Sequence, residues 1–136
     1  VSDFVTDRIK IQCLVLLHDL RVIKHLSEVN YLAKLFSKHF AEGGCIVNIS
    51  SSRDRMSQPQ TESYTAAKGG IAALTHSLAV SMAGKVRVNS ISPGWIDTSY
   101  QVYEGPDAVQ QPCGRVGNPL DIANMVLYLC SEKAGI

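Results

Sequence analysis

Gly43-Gly44-Cys45-Ile46-Val47-Asn48-Ile49-Ser50-Ser51-Ser52 passes from a glycine pair through five mostly apolar, partly β-branched residues to a serine triplet. A run this short and this apolar predicts a strand buried on both faces, Cys45 to Ile49. Upstream, Val22, Leu26, Val29, Ala33, Phe36 and Phe40 recur at alternating steps of four and three. That spacing predicts one helix face, closed by the glycine pair. Downstream, Ser50 to Gln60 is polar and reads as a loop. A second helix is expected from Thr61, with Glu62 suiting its positive end, to Met82, showing Ile71, Leu74, Leu78 and Met82 on one side. Val86 to Ile91 predicts another strand, stopped by Pro93-Gly94. After a long loop to Gly117, Asn118 as N-cap and Pro119 at the first helical position predict a third helix to Cys130. Arg8 to Leu17 reads either as a strand or as the start of the first helix, with the strand favoured. Strands alternating with helices imply parallel pairing through helical crossovers, hence an α/β sheet in a single domain, 1–136.

The bulk numbers narrow the function classes. The 136 residues are 46% hydrophobic and 18% charged, a globular composition. Thirteen basic and twelve acidic residues leave a formal charge of +1. They form no basic stripe, so neither nucleic acid nor an anionic membrane is an expected partner. Cys13, Cys45, Cys113 and Cys130 form no Cys-x-x-Cys pair and read as buried thiols of a reducing compartment. The four histidines lack metal-ligand spacing, so no metal is expected. The apolar run Cys13 to Leu17 is too short to cross a bilayer, and the start lacks a secretory pattern. A cytoplasmic setting is therefore expected.

The chemistry-bearing residues cluster after the strands. Tyr64 and Lys68 are four apart on the second helix and leave the same face. Ser51 follows the buried strand at its carboxyl end, thirteen residues before Tyr64. Ligands bind at that edge of a parallel sheet. Ser92 to Thr98 leaves the next strand at the same edge. A phenol, with a usual pKa of about 10, is a poor base at neutral pH. A nearby ammonium favours its charged form. The blander readings are a solvated Tyr-x-x-x-Lys pair and an ordinary serine loop. Gly69-Gly70, Ala72 and Ala73 read as sites of close helix packing. Trp95, Tyr100 and Tyr103 read equally as pocket lining or as plain packing.

In order along the chain, GGCIVNISSS, YTAAK, VRVNSISPGWIDT and GRVGNPLDIANMVLYLCS resemble the second half of a short-chain dehydrogenase/reductase, over roughly Val22 to Ala134. The resemblance implies a partial Rossmann-like, doubly wound parallel sheet. It implies hydride transfer between NAD or NADP and a small alcohol or carbonyl substrate. By that likeness Tyr64 is the proton donor or acceptor, and Ser51 hydrogen-bonds the substrate oxygen. Lys68 supports the phenolate and binds the nicotinamide ribose, and Tyr64 too counts among the cofactor-binding residues. Pro93, Gly94, Ile96 and Thr98 hold the carboxamide end. The helices flanking the serine-bearing strand would pack across a homodimer or homotetramer interface.

Three departures stand against the family pattern. No Gly-x-x-x-Gly-x-Gly turn precedes Gly43, and the usual Asn-Asn-Ala-Gly stretch is missing. The chain stops at Gly135-Ile136, short of the family's final strand. In the slot of the family's relay asparagine stands His25, which replaces the relay, marks its loss, or is a solvated helix residue. Asn30 lies about 140° round the helix from it and cannot fill the same place. Half a sheet leaves strand edges and an apolar face uncovered, which predicts that the chain belongs to something larger or pairs with other copies. The rival to an enzyme is a family remnant that has lost nucleotide binding and acts as an interaction module.

Overall fold

In a computed structural model the described residues are 11–16, 24–99 and 105–135. Strand β1 spans Ile11–Leu16, helix α1 Lys24–Phe36, β2 Phe40–Ile49, α2 Glu62–Ser81, β3 Val86–Ile91, α3 Pro106–Val109 and α4 Pro119–Cys130. Single 3-10 turns cover Ser52–Asp54 and Glu132–Ala134. The three strands form a parallel sheet in the order β1-β2-β3. Ile11–Leu16 is thus a strand, as favoured from the sequence.

The main correction concerns the start of β2. The stepping through Phe40 predicted helix up to the glycine pair, but α1 ends at Phe36. His39 N–H closes it on the Phe36 carbonyl at 2.8 Å, and the Ser37 hydroxyl donates to the Lys34 carbonyl at 2.6 Å. Phe40 already pairs with Ile11. Its ring satisfies a helix period and a strand position alike, and burial against the sheet decides between them. The register then slips before Cys13 pairs with Cys45. Gly43 sits in that irregularity at φ 77°, a left-handed conformation that favours glycine.

Alternation along the strands sorts the core. Val29 and Ala33 of α1, Phe40 and Ile46 of β2, Leu78 of α2, and Val86 and Val88 of β3 form one buried cluster. Leu74 and Met82 pack against it. The expected face of α2 is therefore the observed one. A Cβ on Gly70 would lie 3.0 Å from Leu26 Cδ2, so the small residue lets α1 and α2 approach closely.

Cys45 and Arg87 have the opposite parity and face α4 on the other side of the sheet. The Arg87 guanidinium donates to the carbonyls of Leu129 at 2.9 Å, Ala134 at 3.2 Å and Ser131 at 3.2 Å. Those are the groups that a helix end leaves unsatisfied, and a cation there also opposes the helix dipole. At its other end α4 begins as read, with Asn118 and Asp121 closing a capping box around Pro119. Its outer face leaves Leu120, Met125, Leu127 and Tyr128 exposed, the uncovered apolar surface expected of half a sheet.

The cysteines depart from four equivalent thiols. Cys45 is free and buried, Cys113 is free but exposed, and Cys130 is disulfide-bonded. Spacing along the chain says nothing about which sulfurs the fold brings within bonding distance. Among the described residues no helix is long and apolar enough to cross a membrane.

The Arg87 clamp is testable. Arg87→Met should lower the free energy of unfolding in urea by about 2 kcal/mol, in the range for hydrogen bonds to a charged group. Arg87→Lys should restore only part of it, because an ammonium lacks the planar fork.

Candidate active site

The residues singled out by sequence gather at the carboxyl ends of β2 and β3. Pairing continues past both strands: Ser50 N–H donates to the Ile91 carbonyl and Ser52 N–H to the Pro93 carbonyl, each at 2.8 Å. Ser51, 8% exposed, lies between those two links. Its hydroxyl oxygen accepts from the Arg53 N–H at 3.2 Å and caps the Ser52–Asp54 turn. That leaves the Ser51 O–H to donate elsewhere.

Helix α2 crosses this edge with Tyr64 half-buried and Lys68 only 7% exposed. The Lys68 ammonium donates to the Ile49 carbonyl at 3.2 Å and lies 5.7 Å from the centre of the Tyr64 ring. At that distance a cation is attracted by the ring face. Burial lowers the pKa of Lys68 from its ordinary 10.5.

Two further links bolt α2 to β2, and neither was singled out from the sequence. The Ser50 hydroxyl donates to the Lys68 carbonyl at 2.8 Å. The Asn48 amide donates to Thr75 Oγ1 at 2.8 Å, and Thr75 Oγ1 donates to the Ile71 carbonyl at 2.8 Å. Strand parity was the available signal: Ile46, Asn48 and Ser50 share one face, so a polar Asn48 and Ser50 must find partners on the helix covering them. Asn48 Oδ1 is buried and has no hydrogen-bond partner among the described residues.

The segment after β3 is tied at its neck. Asp97 N–H donates to the Gly117 carbonyl at 2.9 Å, and Gly117 N–H to the Trp95 carbonyl at 3.0 Å, so Ile96 bridges to Gly117. A side chain on Gly117 would run into Ile96 Cδ1. The guanidinium of Arg115 grips both Asp121 oxygens at 2.7 Å. That grip and the Asn118 N–H hold the Asp121 carboxyl down to a pKa of about 2. Buried Asp97 accepts from the N–H and hydroxyl of Ser99, which turns the chain about exposed Thr98. Gly94 and Trp95 are exposed, whereas Pro93 and Ile96 are half-buried.

Thus the fold brings Ser51, Tyr64, Lys68 and the Pro93-Gly94 turn to one sheet edge. Asn30 instead lines a groove with Leu26, Gly70 and Ala73 between α1 and α2. The His25 side chain, Tyr100 and Tyr103 lie outside the described residues. Among the described residues no group of histidine, cysteine, aspartate and glutamate is arranged to hold a metal ion.

Comparison with known proteins bears on the family and the fold. The sequence profile of the enoyl-(acyl carrier protein) reductase family matches residues 25–136. An uncharacterized oxidoreductase of Thermotoga maritima is 53% identical over 104 residues, covering 68% of this chain and 41% of its own length. The cis-4-hydroxycyclohexanecarboxylate dehydrogenase of Sinomonas cyclohexanicum is 39% identical over 100 residues, covering 69% of this chain and 40% of its own. The apo SCOR enzyme of Clostridium thermocellum superimposes with a TM-score of 0.78 at 36% identity, over 90% of this chain and 56% of that one. The chain thus spans less than half the length of these two curated relatives. Its profile match, its relatives and its parallel sheet together place the chain in the short-chain dehydrogenase/reductase family of oxidoreductases.

Proposed function

We propose that this chain carries the catalytic part of an enzyme that interconverts an alcohol and a ketone or aldehyde with NAD or NADP. The observation that carries the reading is the buried Lys68 ammonium over the Tyr64 ring, held by the carbonyl of Ile49 at the end of the strand that Ser51 follows. The nicotinamide, when bound, supplies or accepts the hydride.

The chain's own residues handle the proton and the orientation. An alkoxide formed from a carbonyl takes its proton from the Tyr64 hydroxyl. In the opposite direction Tyr64 takes the proton of the alcohol. The positive charge of Lys68 steadies the negative charge that Tyr64 carries during that exchange. Ser51, its oxygen already accepting from Arg53 N–H, keeps its O–H for the substrate oxygen.

The residues present fit the nicotinamide end of a dinucleotide. Lys68 has ammonium hydrogens beyond the one spent on Ile49, which suits a ribose hydroxyl. The exposed Gly94 and Thr98, with Pro93 and Ile96 between and beside them, offer a polar backbone edge to the carboxamide. The name of the Sinomonas relative makes cyclic secondary alcohols the first substrates to test. The groove between α1 and α2 is where a second copy would seat, giving a homodimer or homotetramer.

Titration with NADH and NADPH should give a saturable change in cofactor fluorescence; a flat response with both would point to the remnant reading. Tyr64→Phe should cut kcat by at least about a hundredfold, the scale of a lost general acid, while the chain stays folded. Retained turnover would mean another group moves the proton.

Lys68 also gives a signed pH effect. Because its pKa is lowered in the folded chain, the unfolded chain holds that proton to higher pH. Stability should therefore rise with pH across the window from the lowered value up to the ordinary 10.5. Urea midpoints measured upward from neutrality should show this rise, and Lys68→Met should abolish it.

A further inference from the structure

Asp54 is a half-buried residue with a shielded carboxyl that the proton-transfer scheme above does not use. Its side chain is 2% exposed, although it belongs to a surface turn. Arg55 Nε approaches it only to 3.7 Å, and the Arg55 side chain is 84% exposed. Such a distant, solvated cation is a weak counter-charge. The close partner is Ser92, whose hydroxyl donates to Asp54 Oδ2 at 2.8 Å.

Place gives this bond its meaning. Asp54 ends the turn that Ser51 caps, and its N–H donates to the Ser51 carbonyl at 2.9 Å. Its own carbonyl lies 3.8 Å from where a Cβ on Gly69 would stand, so the turn rests on α2 next to Lys68. Ser92 directly follows β3 and precedes the Pro93-Gly94 turn. The bond between them joins two segments already linked by Ser50 N–H to Ile91 and Ser52 N–H to Pro93. Backbone bonds fix the strand tips, and the side-chain bond fixes the two turns that continue from them.

We propose that Asp54 is a positioning residue: through Ser92 it sets the spacing between the Ser51 hydroxyl and the Pro93-Gly94 turn, and so between substrate and nicotinamide. This rests on the functional reading above. A carboxylate suits the task because it accepts strongly from a hydroxyl and, once buried, has few other groups to turn to. In the sequence Asp54 is one residue of the polar stretch Ser50 to Gln60 that reads as a loop.

The test is a double-mutant cycle in the purified protein, with kcat, cofactor affinity and melting temperature measured together. Asp54→Ala and Ser92→Ala should each lower kcat about tenfold and weaken NADH or NADPH binding, the scale of one lost hydrogen bond to a charged group. The double variant should be no worse than the weaker single one, because both remove the same bond. Asp54→Asn, which keeps an acceptor oxygen, should recover most of the activity. Additive losses, or folded variants with a lower melting temperature but unchanged kcat and cofactor affinity, would leave Asp54 a packing role and overturn the proposal. Should Asp54→Ala not fold, Ser92→Ala tests the same bond from its other end, and unchanged kinetics there would overturn it equally. Failure of the broader reading looks different: the unmutated protein ignores both cofactors, and the assignment to Asp54 falls with it.

Discussion

Burying the ammonium of Lys68 is the constraint around which the edge of the sheet is organised. A charge out of water costs several kcal/mol unless hydrogen bonds or opposite charge compensate it. Here the compensation is local: the carbonyl of Ile49 and the face of Tyr64. Both require α2 to lie at a fixed height and rotation over the end of β2. Ser50 on the Lys68 carbonyl and Asn48 on Thr75 hold it there, from the face of the strand that also carries Ile46 into the core. The hydrophobic contact presses the helix onto the sheet, and the polar contacts decide where along the sheet it stops.

The same division recurs further along the chain. Arg87 gathers carbonyls from the end of α4 and from the 3-10 turn that follows it, and fixes that helix to the opposite face. The Ile96–Gly117 bridge and the Arg115–Asp121 pair tie both ends of the long loop to the frame.

The alternation of strands with the longer helices, the parallel sheet and the approximate bounds of α2, β3 and α4 were legible because each has its own local signal, whereas the four-residue α3 lies inside the expected loop. For α2 it is apolar spacing, for β3 a β-branched run, and for α4 an Asn-Pro start. The boundary between α1 and β2 was not legible, since Phe40 fits both periods and only its pairing with Ile11 separates them. Ser51, Tyr64 and Lys68 stood out as candidates through their spacing and company, and the fold gathers them at one sheet edge. Asp54, Ser92 and Thr75 escaped notice because each acts through a partner distant in the chain. The same holds for the Cys130 disulfide.

The amino-acid sequence alone therefore determined the kind of protein: an alternating α/β chain with a serine, a tyrosine and a lysine at family spacing. Those properties depend on neighbours within a few residues, so one turn of helix or one strand suffices to express them. Tertiary structure decided how deeply Lys68 is buried, which carbonyl it meets, and how the two loops at the sheet edge are tied. These are long-range contacts, and their energies come from burial and from hydrogen bonds between residues that meet only once the sheet has formed.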